Sequence, residues 1–242
     1  MVNFIILLIL HLLGDFYFQT SKIAKCKNAK LDELCADCQK CKEKSVLNFK
    51  YVFIHIMLYI IPFATMFFMT SWTNAIIIIV SVAVSHSIID ILSCFSNKKF
   101  KQTLVFIIDQ FLHISILFIL YKLISLDHLF DNYYSVIKGI FTVLLLMVPS
   151  SVFINKLFED TYYEVSDKGI FDIGSVIGIL ERFLVIIFAY FQNFAAIAII
   201  VTVKTWARTN DLKQTDFRNK YLMGTLASLM CALGSYLIIR FI

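Results

Sequence analysis

Proline and glycine are scarce, at two and seven in 242 residues. Numbers this low exclude a collagen-like repeat and a low-complexity disordered chain. Charge is scarce too. Only 16% of the residues are Asp, Glu, Lys or Arg, against about 25% in a soluble domain. A surface facing water cannot be built from so few, which excludes an ordinary soluble enzyme. Regular polar–apolar alternation is also missing, which argues against a transmembrane β-barrel. The chain is instead 60% hydrophobic, with 24 phenylalanines and a mean hydropathy of +0.80. The composition predicts an all-α polytopic membrane helix bundle, with residues 1–242 as a single membrane domain.

Each crossing needs about 20 mostly apolar residues. Eight stretches are read as spans: 2–19, 51–70, 74–95, 103–125, 135–155, 173–191, 194–208 and 221–241. Only Gln192-Asn193 separates the sixth from the seventh, so seven spans is the other reading. Basic residues orient the bundle. Eight lysines fall in 20–50, three in 96–102, two in 156–172 and five Lys/Arg in 204–220. The loops near 71–73, 126–134 and 192–193 hold none. By the positive-inside rule the basic loops are cytoplasmic and both termini face outside. The first stretch has no basic leader and no small-residue cleavage site, so it reads as a retained span rather than a signal peptide.

The polar residues within the spans carry the chemistry. A charged group at the bilayer centre costs about 2.5–3.5 kcal/mol on insertion scales. Yet His11/Asp15, His86/Asp90 and Asp109/His113 each place an imidazole and a carboxylate four residues apart. On an α-helix, residues at that spacing share a face. Counted from the cytoplasmic ends at 1.5 Å per residue, the three aspartates lie roughly 6–9 Å deep and the three histidines roughly 12–15 Å deep. The order within the motif reverses in the fourth span, as the helix direction does. The pairs therefore form one carboxylate layer and one histidine layer. His55, about five residues into the second span, falls near the carboxylates. Imidazole and carboxylate together suit Zn²⁺ or Mn²⁺. His11, Asp15, His86, Asp90, Asp109 and His113 are the expected ligands, with Gln19, His55 and Gln110 supporting them. The competing reading makes each pair an interhelical clasp.

Further along, Glu181 and Arg182 lie inside the sixth span, as a candidate general base and a candidate partner for a buried aspartate. Lys204 and Arg208, four residues apart at the cytoplasmic end of the seventh span, are candidates to hold a phosphate-bearing headgroup or to act as snorkelling anchors. Cys26, Cys35, Cys38 and Cys41 crowd the first basic loop at a C-x8-C-x2-C-x2-C spacing. In a reducing cytosol that pattern fits a small structural zinc loop better than disulfides, with free thiols as the other reading.

These motifs resemble a bacterial membrane family, the domain of unknown function 3307. The resemblance rests on His11-Leu12-Leu13-Gly14-Asp15 with Gln19, then His86-x-x-x-Asp90 and Asp109-Gln110-x-x-His113. In the second half it rests on Gly174-x-x-x-Gly178-x-Leu180-Glu181-Arg182, Lys204-x-x-x-Arg208 and Gly224-Thr225-Leu226-x-Ser228. The cysteine loop looks like an insertion. The resemblance implies a bacterial plasma membrane protein and supplies no activity. A looser likeness, in motif chemistry alone, is to membrane-bound metal-dependent hydrolases. The expected function is a metal-dependent hydrolase at the cytoplasmic leaflet acting on a phosphate-bearing or lipid-linked substrate. No nucleic-acid partner is expected, and residues 20–50 are the candidate contact for a cytosolic one. The alternatives are a proton- or divalent-cation transporter or channel using the same cluster, and a membrane sensor or scaffold.

Overall fold

A computed structural model describes residues 1–19, 49–97, 100–127, 129–162 and 173–241. The cysteine loop lies outside the described residues. Eight α-helices occur among them, and no strand. They are α1 (Val2–Leu12), α2 (Phe49–Phe63), α3 (Trp72–Ser96), α4 (Gln102–Leu123), α5 (Tyr134–Tyr162), α6 (Ile173–Tyr190), α7 (Phe194–Ala207) and α8 (Thr215–Phe241). A π-helical turn, Leu13–Tyr17, prolongs α1, and a 3₁₀ turn, Ala64–Phe68, prolongs α2 beyond Pro62. The Gln192-Asn193 break is real. Gln192 adopts φ 56°, and the Asn193 side chain accepts from the Ala196 N–H at 3.2 Å, so α6 ends and α7 is capped afresh.

Five helical segments among the described residues are long and apolar enough to cross a membrane: Lys50–Phe68, Trp72–Ser96, Gln102–Leu123, Asp131–Tyr162 and Thr215–Phe241. Val2–Tyr17 and Phe194–Ala207 are shorter apolar helices. The side chains confirm what the lengths suggest. On α3, Ile77, Val80, Val84, Ile88 and Leu92 are each more than half exposed. Ala75, Ile78, Val82, His86, Ile89 and Asp90 form the buried stripe of the same helix. Apolar residues outside and polar residues inside suit a lipid environment, since a soluble monomer rarely exposes so continuous an apolar surface.

Where the sequence reads as one membrane domain, the backbone falls into two compact units, Met1–Ile137 and Lys138–Ile242. In the first, α1 packs against α2 and α4, and α3 packs against the same two helices. Nine of the eleven α1 residues are buried. A helix apolar all round belongs in an interior rather than at a surface. One end of this unit is tied by polar contacts. Asn3 Nδ2 donates to the carbonyls of Leu126 and Asp127, both at 3.3 Å, and Thr70 Oγ1 donates to the Ser125 carbonyl at 3.0 Å. The start of α1, the start of α3 and the ends of α2 and α4 therefore share that end. The π turn, the starts of α2 and α4 and the end of α3, which adjoin the lysine-rich stretches in sequence, share the other.

The second unit has a core of Leu146, Val185, Ala189, Ile197 and Ala232, with α6 packed on α7 and α8. Pro149 interrupts the ladder of α5, leaving the Leu145 carbonyl without its usual N–H. Ser150 Oγ donates to that carbonyl at 2.8 Å.

Glycine matters most at Gly14. A Cβ there would lie 2.8 Å from both the carbonyl oxygen and Cδ2 of Tyr59. Gly14→Ala must therefore push α1 and α2 apart. The expected cost is about 1–3 kcal/mol, read as a lower thermal unfolding midpoint in detergent. Gly139→Ala, where nothing lies within 4 Å of the new Cβ, should cause no loss.

Candidate metal centre

Four helices of the first unit each send polar side chains into one buried cluster. From α2, His55 Nε2 lies 2.8 Å from His86 Nε2 of α3. Two carboxylates face this pair. Asp15 Oδ1 is 3.4 Å from His55 Nε2 and 4.0 Å from His86 Nε2. Asp90 Oδ2 is 3.3 Å from His55 Nε2 and 3.4 Å from His86 Nε2. These separations run from 2.8 to 4.0 Å. Zn–N and Zn–O bonds of about 2.0–2.2 Å give a tetrahedron with edges of about 3.4 Å. The His55 and His86 nitrogens together with either carboxylate oxygen are thus spaced much as the ligands of one metal ion are. Asp15, His55 and His86 form one group placed to hold a metal ion, and His86, Asp90 and His113 form an overlapping second one.

The remaining residues surround these four. His113 Nδ1 donates to the Asp109 carbonyl at 2.9 Å, and its Nε2 lies 2.6 Å from His86 Nδ1. A carbonyl can only accept, so Nδ1 carries the proton of a neutral His113. Nε2 then accepts from His86 Nδ1–H. That leaves His86 Nε2 as the bare nitrogen, the one that faces His55 and the carboxylates. Asp109 receives a 2.5 Å hydrogen bond from Ser93 Oγ. The Tyr59 ring lies flat on His86, with centroids 3.6 Å apart and planes 4° from parallel.

The electrostatics are lopsided. Three aspartates meet four histidines here, and no Lys or Arg occurs in 2–19, 51–96 or 102–121. Carboxylates taken out of water need compensating charge close by. A divalent cation supplies it where no fixed cation does.

The other candidates make hydrogen bonds around these groups. His11 Nδ1 lies 3.0 Å from Tyr59 Oη, and its Nε2 lies 3.2 Å from Gln110 Oε1. The reason is local. His11 lies in the last turn of α1 while Asp15 lies in the π turn, whose i→i+5 bonding breaks the one-face geometry of an α-helical pair. Asp109 is held by Ser93 and Gln110. His55, expected to support the ligands, stands among them. Gln19 is half-buried just beyond the π turn. Tyr59 and Ser93 went unread in the sequence, although Tyr59 follows His55 at the same four-residue spacing as the other pairs.

The second-half candidates all lie in the other unit and have partners within it. Lys204 Nζ donates to Glu181 Oε2 at 2.5 Å and lies over the Tyr221 ring at 5.7 Å. Arg208 stacks over Phe217 at 5.8 Å. Arg182 does not pair with a buried aspartate. Its Nε donates to the Leu146 carbonyl at 2.9 Å, one Nη donates to Ser151 Oγ at 2.7 Å and the Met147 carbonyl at 3.4 Å, and the other donates to Ser228 Oγ at 3.4 Å. It clasps the Pro149 bend of α5 to α8.

With this geometry in hand, comparison with known proteins adds one result. Residues 3–144 match the family described as "Protein of unknown function (DUF3307)". The chain belongs to this family. The DUF3307 match contains every member of the His/Asp cluster and ends before Glu181, Arg182, Lys204 and Arg208. No curated protein and no solved structure matches the chain.

Arg182→Lys replaces a five-donor fork with a compact ammonium that cannot span these acceptors. The expected loss is about 2–3 kcal/mol of stability, measured by thermal unfolding, with metal content unchanged.

Proposed function

We propose that this chain is an integral membrane metal-dependent hydrolase, with Asp15, His55, His86 and Asp90 holding zinc or manganese. The observation that carries the reading is the close approach of Asp15 and Asp90 oxygens to the paired His55 and His86 nitrogens, where the spans offer no lysine or arginine. A bound divalent ion lowers the pKa of a coordinated water toward about 7 and makes it nucleophilic. Asp109 is the base beside that set, oriented by Ser93 and Gln110. The cluster lies toward the end of the unit that carries the lysine-rich connections, which by the positive-inside rule supports a site facing the cytoplasm. A site at headgroup-to-upper-chain depth favours a phosphate-bearing or lipid-linked substrate. A second reading, divalent-cation transport, draws on a different feature. The groups Asp15/His55/His86 and His86/Asp90/His113 share His86, which gives an ion two adjacent positions along a path.

Elemental analysis of the detergent-purified protein, followed by paired assays, tests both. Wild type should hold a divalent ion that His86→Ala and Asp90→Asn lose. It should survive replacement of Cys26, Cys35, Cys38 and Cys41 by serine. Cleavage of a lipid phosphoester should then fall to background in the same two variants. Metal flux into proteoliposomes without hydrolysis would decide for transport, and wild type devoid of metal would sink both readings.

A further inference from the structure

One side chain ties Asp15, Asp109 and His11 together. Gln110 Nε2 donates to Asp15 Oδ2 at 3.0 Å and to Asp109 Oδ2 at 3.1 Å. Its Oε1 lies 3.2 Å from His11 Nε2. Chemistry fixes which end of the amide is which. Ionised carboxylates only accept, so the NH₂ must face them and the oxygen must face His11. His11 Nε2 then carries a proton and donates to Gln110. A neutral His11 has its lone pair on Nδ1, so Tyr59 O–H donates there across 3.0 Å. The result is a directional chain from Tyr59 through His11 and Gln110 to Asp15, with every proton assigned.

This chain has a specific effect on Asp15. Its Oδ2 is tied to the amide, and Oδ1 lies 3.4 Å from His55 Nε2 and 4.0 Å from His86 Nε2. A carboxylate held this way gives one oxygen to a metal and not two. A one-oxygen carboxylate keeps the coordination number low, and zinc is at home in tetrahedral sites. Manganese takes more oxygen-rich and higher coordination.

We infer that Gln110, locked by Tyr59 and His11, positions Asp15 as a one-oxygen donor and so sets the coordination number and metal preference of the site. Gln110 touches no metal in this role and acts through Asp15. The inference rests on the metal reading above and deepens it.

Cobalt serves as the probe, because four-coordinate Co²⁺ absorbs visible light far more strongly than six-coordinate Co²⁺. Wild type, Gln110→Ala, Tyr59→Phe and His86→Ala are loaded with Co²⁺, and Zn²⁺ and Mn²⁺ affinities are measured by competition. In Gln110→Ala, Asp15 is released to offer both oxygens. Zn²⁺ affinity should fall by about 10–100-fold, the usual effect of losing such a support. Mn²⁺ affinity should fall less, and the cobalt bands should weaken. Tyr59→Phe keeps the ring on His86 and removes only the hydroxyl, so it should shift the same readouts in the same direction by less. It also keeps the test readable if Gln110→Ala fails to fold. A merely structural role would lower stability without moving the zinc-to-manganese ratio or the spectrum. The inference is overturned if both variants keep the wild-type ratio and spectrum while His86→Ala abolishes binding, a result that leaves the metal reading intact. Wild type without metal overturns the metal reading and the clamp together.

Discussion

Three aspartates, one buried and two half-buried among lipid-facing helices with no lysine or arginine in the same spans, set the terms for everything around them. In a low-dielectric interior such carboxylates are not tolerated unless charge, protons or hydrogen bonds compensate them. The first unit meets that demand with four histidines, an amide, a tyrosine and a serine, all drawn from α1–α4. The outward faces of those helices are left free to be apolar. Packing follows from this. The helices must approach closely enough for hydrogen bonds to close, and α1 does so by presenting Gly14 to the backbone of Tyr59.

The second unit answers the same constraint with the opposite charge. Arg182 is buried, and its partners are two backbone carbonyls and two hydroxyls. The carbonyls flank a proline bend that has already left α5 with groups to satisfy. A guanidinium, with five donors in a planar fork, is well matched to such a bend. The neighbouring Glu181 turns to Lys204. Sequence adjacency therefore separates two roles. One side chain braces the interior, and the other closes an ion pair between α6 and α7.

Much of the cluster was legible in the sequence because lipid makes polar residues conspicuous. In a soluble protein, His86 and Asp90 would be two polar residues among many. In an apolar run of 25 residues they stand out, and four-residue spacing places them on one face. What was not legible follows from the same logic. Spacing presumes a regular α-helix, and the π turn after Leu12 breaks the presumption for His11 and Asp15. One imidazole goes to a tyrosine and an amide, and the carboxylate goes to two other imidazoles. His55 has no acidic partner four residues away, so its central place emerges only when α2 meets α3. Tyr59 looks like one more aromatic residue until its hydroxyl finds His11. Span length was the weakest inference, because hydropathy reports apolar character and not how far a helix reaches.

That last point bears on α1. Its 11 α and 5 π residues extend ~24 Å, short of the ~30 Å hydrocarbon layer. Lipid would leave its polar ends unsatisfied and its His11 and Asp15 stranded. Packed against α2 and α4 the mismatch disappears, because the neighbours and not the bilayer are its solvent. Biogenesis inherits the consequence. The helix translated before α2, α3 and α4 is the one least able to rest alone in the membrane. Its stable insertion waits on helices translated after it, and assembly of the polar centre and integration of the unit become a single event.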